Sequence, residues 1–230
     1  MMEAGIKNII FSSTCAVYGE PQYMPMDENH PRNPVSPYGK TKLAIEFILE
    51  DYAQAYGLNY VGLRYFNASG ALWEKGLGEQ HSPETHLIPR VIQAVLRDEP
   101  VYIFGTNYST PDGTCVRDYV HVMDLARAHV LAYDALQRKP LTIFLNAGTG
   151  IGFSVRKIID EIGHACGKKA LITCMPAREG DAPILVAHTS QVQKILGWKP
   201  ENSDLVNIVQ SAYHWNEKRV HRPHERVERL

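Results

Sequence analysis

The tightest constraint on the fold is a short apolar run, Lys7-Asn8-Ile9-Ile10-Phe11, that ends in three hydroxyls, Ser12-Ser13-Thr14. A continuous apolar stretch of this length suits a strand covered on both faces, as in a parallel sheet. The segment from Gly19 to Pro37 holds five prolines and reads as a loop. From about Tyr38 to Tyr56, Leu43, Phe47, Ile48 and Tyr52 recur at helical spacing, and Gly57 supplies the stop signal. The next strand is Tyr60-Val61-Gly62-Leu63-Arg64-Tyr65-Phe66. Strand, crossover helix and strand make a βαβ unit, so the first ~70 residues are expected to form part of a doubly wound α/β sheet.

Beyond Asn67 the pattern loosens. Leu87 to Arg97 and Met123 to Leu136 read as helices joined by a long loop, and Leu141 to Leu145 reads as a strand. Ser154 is placed to cap a helix running to about Cys166, and Ser203 or Asp204 to cap the last one, through Trp215. Loops of such length in a compact domain usually bind something. At 230 residues the chain is long enough to bury a core, with no apolar run approaching the ~20 residues of a membrane helix. The start, Met1 to Lys7, lacks a signal-peptide pattern. A net charge of −1, with basic residues scattered except in the tail Arg219-Val220-His221-Arg222, argues against nucleic-acid binding. Cys15, Cys115, Cys166 and Cys174 form no C-x-x-C pair, which suits reduced thiols in the cytoplasm. The ten histidines include no H-E-x-x-H, and His121 and His129 are too far apart for one helical turn, so no metal is expected.

Two glycine motifs invite a phosphate and fail. Gly39-Lys40-Thr41 imitates the end of a Walker A loop, but the glycine required upstream is Pro34. Gly148-Thr149-Gly150-Ile151-Gly152-Phe153 lies between a strand and a helix, but its third glycine position is Phe153; a tight turn is the better reading. What remains is Tyr38-Gly39-Lys40-Thr41-Lys42, which sets a tyrosine and a lysine one helical turn apart. An ammonium beside a tyrosine favours the phenolate, giving a general base that returns its proton as an acid. Ser12 to Thr14 fall at the carboxyl end of the preceding strand, where open α/β sheets bind ligands.

A Ser/Thr strand end followed by Tyr-x-x-x-Lys on the next helix resembles the extended short-chain dehydrogenase/reductase family, over essentially the entire chain. The positions where sugar-nucleotide dehydratases carry an acidic pair are Cys15 and Ala16, which points to oxidation and re-reduction without elimination. Further stretches are similar to UDP-glucose/galactose 4-epimerases: Leu63 to Asn67, Thr85 to Pro89, Asp112 to Leu125 and Arg178 to Asp181. The resemblance implies the C-terminal part of a Rossmann-like parallel sheet in residues 1–67, and a smaller mixed α/β substrate domain in 68–230 with some elements returning to that sheet. It also implies NAD as cofactor, a UDP-sugar as substrate and a homodimer in intact relatives. Thr14 would bond the sugar 4-oxygen, Tyr38 would exchange its proton, Lys42 would hold Tyr38 and the nicotinamide ribose, and Phe66 would line the NAD pocket. Asn67, His86, Leu87, Tyr102, Ile103, Phe104, Arg117, Arg178 and Asp181 would hold UDP, and Leu185 resembles the residue that gates pocket size.

In that family several βα units precede the catalytic strand, about a hundred residues at ~30 per unit. The sequence is therefore expected to be a truncated form that by itself neither retains NAD nor epimerises UDP-galactose. Alternative readings are a UDP-arabinose or UDP-N-acetylhexosamine 4-epimerase, and a non-catalytic UDP-binding remnant.

Overall fold

The computed structural model describes residues 1–220; the basic tail at 219–222 lies outside the described residues, apart from the backbone of its first two. In chain order the elements are β1 (Asn8–Thr14), α1 (Pro37–Tyr56), β2 (Asn59–Tyr65), β3 (Asn67–Ser69), α2 (Leu87–Leu96), β4 (Pro100–Phe104), β5 (Val116–His121), α3 (Val122–Arg138), β6 (Thr142–Ala147), β7 (Gly152–Ser154), α4 (Val155–Cys166), β8 (Leu171–Met175), β9 (Ile184–Leu185), α5 (Ser190–Leu196) and α6 (Leu205–Val220).

β1, β2 and β6 form a parallel sheet in that order, with Thr14 opposite Tyr65 and Tyr65 opposite Ala147, so the three carboxyl ends lie along one rim. Both faces are covered, as the continuous apolar run requires. Ile9, Phe11, Tyr60 and Phe144 pack with Leu49 of α1, whereas Ile10, Val61, Leu63 and Leu145 pack with Leu125, Ala128 and Ala132 of α3. Alternation of successive β2 side chains between the two faces produces this split. Ser36 caps α1, Pro37 opens it, and Gly57 closes it in the left-handed conformation at φ 69°.

The second half is more regular than its sequence pattern indicates. The expected long loop between the second and third helices contains β4 and β5. β5 is the hub of a four-stranded mixed sheet, pairing with β3 and β9 in parallel and with β7 antiparallel, while β4 pairs with β8. A third core gathers Ile88, Ile92, Ile103, Ile158, Ile162, Ile208 and Val209 from α2, β4, α4 and α6. Asp204, of the two expected candidates, caps α6 by accepting from the Asn207 N–H.

Ser203 serves Asp124 instead. The fully buried Asp124 carboxylate accepts from Ser203 Oγ (2.5 Å), Asn202 Nδ2 (2.8 Å) and the N–H groups of Glu201 and Asn202, tying α3 to the approach to α6. Burial works to raise the Asp124 carboxyl, but these hydrogen bonds outweigh it and hold the group below the usual carboxylate range. The stabilisation is therefore fully present above the unfolded value of ~3.9 and lost as pH falls through the lower folded value. Asp124→Asn turns an NH2 toward these donors and should cost about 2 kcal/mol or more. Urea unfolding checks this: the variant should also lose that part of the wild-type decline in acid, and equal stability at pH 7 would exclude the role.

Candidate active site

Thr14 ends β1 and starts a one-turn helix, Cys15–Val17, its Oγ1 accepting from the Ala16 N–H at 3.1 Å. That bond uses a lone pair of the Thr14 hydroxyl and not its proton. Tyr38 is the second residue of α1 and is 55% exposed at the helix N-terminus. One turn on, Lys42 Nζ donates to the Ser12 carbonyl at 2.9 Å and lies 5.7 Å from the centre of the Tyr38 ring. The lysine is thus anchored to the strand that carries Thr14, with its charge beside the tyrosine.

Gly39 explains how helix and strand end come so close. A Cβ there would lie 2.4 Å from the Ala16 carbonyl oxygen and 2.9 Å from Pro34 Cβ. The glycine of the apparent Walker motif is a packing contact.

Thr14, Tyr38 and Phe66 line a cleft of about 720 Å³ with Tyr65, Asn67, His86, Leu87 and Trp215. Asn67, His86, Leu87 and Tyr119 also line a neighbouring cavity of about 560 Å³, which holds Tyr102, Phe104, Arg117, Arg178 and Asp181. Most of the residues read from the sequence therefore divide between two adjoining cavities that share a wall. Asn67 Nδ2 donates to the Asp118 carbonyl at 2.8 Å, and His86 occupies the cap position of α2 on the shared wall. At the far end the Arg178 guanidinium lies 3.8 Å over the Phe104 ring. Arg117 Nη1 donates to the carbonyls of Val116 (2.9 Å) and Ala182 (2.8 Å), and its Nη2 lies 3.9 Å from Asp181. Nη2 and Nε keep donors for an anion.

Three expected residues line neither cavity: Lys42, held on the Ser12 carbonyl, Ile103 and Leu185. Ile103 is 1% exposed in the α2–α4–α6 core, because alternation along β4 turns it away from the cavity that Tyr102 and Phe104 face. Leu185 packs against the cluster of Val17, Tyr18 and Met26 and lines neither cavity.

Sequence reasoning missed the network beneath Thr14. Ser13 donates to Glu46 Oε1 at 2.6 Å, Arg64 grips both Glu46 oxygens at 2.9 and 2.7 Å, and Arg64 Nη1 donates to Tyr18, whose hydroxyl donates to Asn146. The available signal was an acid on the apolar stripe of a helix, since Glu46 is buried between Leu43 and Leu49. A second cluster joins Tyr65 to Ser12 (2.8 Å) and His129 (2.7 Å). Asp118 was likewise missed: it accepts from the N–H groups of Thr149, Gly150 and Ala187. Those bonds occupy the glycine turn after β6, so it has no N–H array to offer a phosphate.

With this geometry in view, the comparisons define the class. Residues 1–148 match the model of the NAD dependent epimerase/dehydratase family, and the chain belongs to that family. It is similar to the UDP-glucose 4-epimerase of Halalkalibacterium halodurans, 46% identical over 222 residues, or 96% of this chain and 66% of that protein. Among solved structures it is similar to UDP-glucose 4-epimerase from Brucella ovis in complex with NAD, at 48% identity and TM-score 0.88, over 91% of this chain and 65% of that one. It is also similar to the Bifidobacterium longum enzyme in complex with NAD+ and UDP, at 37% identity and TM-score 0.87, over 95% and 66%. The chain spans about two-thirds of the length of these relatives.

Gly39→Ala tests the close approach. Replacing a helical glycine by alanine usually stabilises by about 0.5–1 kcal/mol. Here overpacking against Ala16 should reverse the sign and cost about 1–3 kcal/mol. A raised urea midpoint would show that the start of α1 is not packed on the strand end.

Proposed function

We propose that this chain carries the catalytic tyrosine and the UDP-sugar site of an NAD-dependent UDP-hexose 4-epimerase, acting on UDP-glucose and UDP-galactose through a 4-keto intermediate. The observation that carries the reading is a pair of adjoining cavities with a shared wall, Thr14 and Tyr38 lining one and Arg117 and Arg178 the other. NAD, held at its nicotinamide end by Lys42 and Phe66, would supply reversible hydride transfer at the sugar C4. The chain's own residues handle the proton: Tyr38 takes it from the 4-hydroxyl and gives it back, Thr14 bonds the same oxygen, and Lys42 stabilises the phenolate. Phe66, beside Thr14 and Tyr38 in the cleft wall, is assigned to the nicotinamide end of NAD. Asn67, His86, Leu87, Tyr102, Phe104, Arg117, Arg178 and Asp181 are assigned to UDP, whose pyrophosphate suits forked guanidinium donors.

Epimerisation is favoured over dehydration by Cys15. Elimination needs an acid and a base next to the strand-end threonine. Burial, reinforced by the Asp118 carboxylate, pushes the Cys15 thiol up to about 12, and Ala16 has no proton to exchange. The reading keeps a division near residue 67 and a cytoplasmic setting, which suits the four free cysteines among the described residues. No described helix is long and apolar enough to cross a membrane. Homodimer formation is supported by the exposed stripe Ile45, Ile48, Tyr52 and Tyr56 along α1.

The decisive experiment uses a chimera that completes the chain with the remaining part of a relative. Tyr38→Phe should lower kcat by roughly 10²–10⁴-fold with little change in UDP affinity. Retention of over about a tenth of the turnover would remove Tyr38 as the base. In the chain itself, calorimetry with UDP should show binding that Arg117→Ala weakens about ten- to hundredfold, the scale of a charge-assisted hydrogen bond of roughly 1.5–3 kcal/mol. Unchanged affinity would place the pyrophosphate elsewhere.

A further inference from the structure

The loop before α2 reads Glu79-Gln80-His81-Ser82-Pro83-Glu84-Thr85-His86, and it folds four ligand atoms into one group, all within 4.8 Å of one another. His81 Nδ1 lies 3.2 Å from His86 Nδ1, 3.1 Å from Glu79 Oε1 and 3.7 Å from Glu84 Oε1. His86 Nδ1 lies 3.3 Å from Glu84 Oε1 and also contacts Glu79 Oε1. A tetrahedral ion with bonds of about 2.0–2.1 Å sets its ligands roughly 3.3 Å apart. The observed separations bracket that value.

The two imidazoles face each other across a gap ringed by the two carboxylates, which a proton or a divalent ion can fill. If both rings are neutral, one proton can bridge the facing nitrogens; if both are charged, two cations meet at 3.2 Å. A divalent ion would accept a lone pair from each of the four groups. Two imidazoles with two carboxylates select a zinc-class ion over magnesium or calcium, which prefer all-oxygen shells.

The surroundings hold the ligands in place. The Glu84 carboxylate accepts from the N–H groups of Thr85 (2.8 Å) and His86 (2.9 Å), the kind of outer hydrogen bond that orients a metal ligand. Trp215 donates to the Glu79 carbonyl at 2.7 Å and packs so closely on Gly78 that a Cβ there would lie 2.4 Å from its ring. The positive N-terminus of α2 opposes a cation, and the two carboxylates offset it. The histidine side chains are about half exposed, which leaves a path for entry.

We propose that Glu79, His81, Glu84 and His86 form a binding site for a zinc-class divalent ion, whose occupancy fixes the wall between the two ends of the cleft. Glu79, His81 and His86 line the Tyr38 end, and Glu84 and His86 line the Arg117 end, so an ion here would sit in the partition and hold His86. Motif and helical spacing do not reveal this group, because a loop builds it.

The test uses the 230-residue chain, stripped with a chelator and titrated with Co2+, then with Zn2+ in competition. The expected result is one ion per chain, a visible spectrum of four-coordinate Co2+ with nitrogen and oxygen ligands, displacement by Zn2+ and none by Mg2+. His81→Ala and Glu79→Gln should each weaken binding at least about tenfold, the scale that even outer-sphere changes reach. Unchanged far-UV dichroism in both variants would show that the chain still folds. Absence of stoichiometric binding, displacement by Mg2+, or equal binding by both variants would overturn the proposal. Because the readout is the ion itself, a negative result leaves the epimerase reading standing, and loss of that reading leaves this one standing.

Discussion

The buried pair of Glu46 and Arg64 is the interaction on which the active-site end of the sheet depends. Both side chains are almost completely withdrawn from water, at 0% and 3% exposure. Stripping two such ions of solvent costs several kcal/mol each, and attraction repays it only when the remaining donors and acceptors are also met. They are: Glu46 Oε1 takes Ser13 and Arg64 Nε, Oε2 takes Arg64 Nη2 and Arg32, and Arg64 Nη1 finds Tyr18. Burial disfavours the Arg64 charge, yet the carboxylate and the tyrosine more than offset it. The consequence is geometric. Ser13 precedes Thr14, Glu46 follows Lys42 by one turn, and Arg64 precedes Tyr65, so one ion pair fixes the ends of β1 and β2 against α1.

Asp118 applies the same logic at the junction of the two sheets. It reaches from β5 to the turn after β6 and to Ala187, and its carboxylate is met by backbone N–H groups and the Thr149 hydroxyl. Burial raises its carboxyl, against these donors. Glycine is required at 148 because a Cβ would lie 2.4 Å from Ala187 Cβ and 2.7 Å from the Asp118 carboxylate. A phosphate-binding loop needs free N–H groups and no fixed negative charge. This turn has the opposite endowment, and it joins β6 to β7 as a structural corner.

The parts legible in the sequence share one property: their signal is local. The run from Ile9 to Phe11, the extent of α1 with Gly57 at its end, and the Tyr38/Lys42 spacing each lie within a single element, although Phe47, Ile48 and Tyr52 of the expected stripe are exposed and Glu46 and Leu49 are buried in their place. β4 and β5 escaped because their partners are distant; β4 bonds to β8, some seventy residues on, and strands of five and six residues carry little periodicity. Ile103 shows the same limit at the scale of a side chain. Its neighbours Tyr102 and Phe104 face the cavity, and only the strand assignment reveals that the residue between them must face the core. Glu46 and Arg64 are read singly as ordinary charges; burial alone shows that they are a unit, and burial is a property of the assembled fold.

The two cavities also differ in how their side chains are held. At the Tyr38 end the fixed contacts are internal: Lys42 on the Ser12 carbonyl, Thr14 on Ala16, and the ion pair below. At the other end the arginines rest on neighbouring side chains, Arg178 over the Phe104 ring and Arg117 toward the Asp181 carboxylate. A nucleotide would exchange these contacts for its own, so part of each new interaction replaces an old one and appears as specificity more than as affinity. Under the proposed reading this separates the labour. Positioning for proton transfer is built into the sheet rim, where small displacements change rate. Discrimination among nucleotides rests on side chains that can re-pair, where substitutions change binding first.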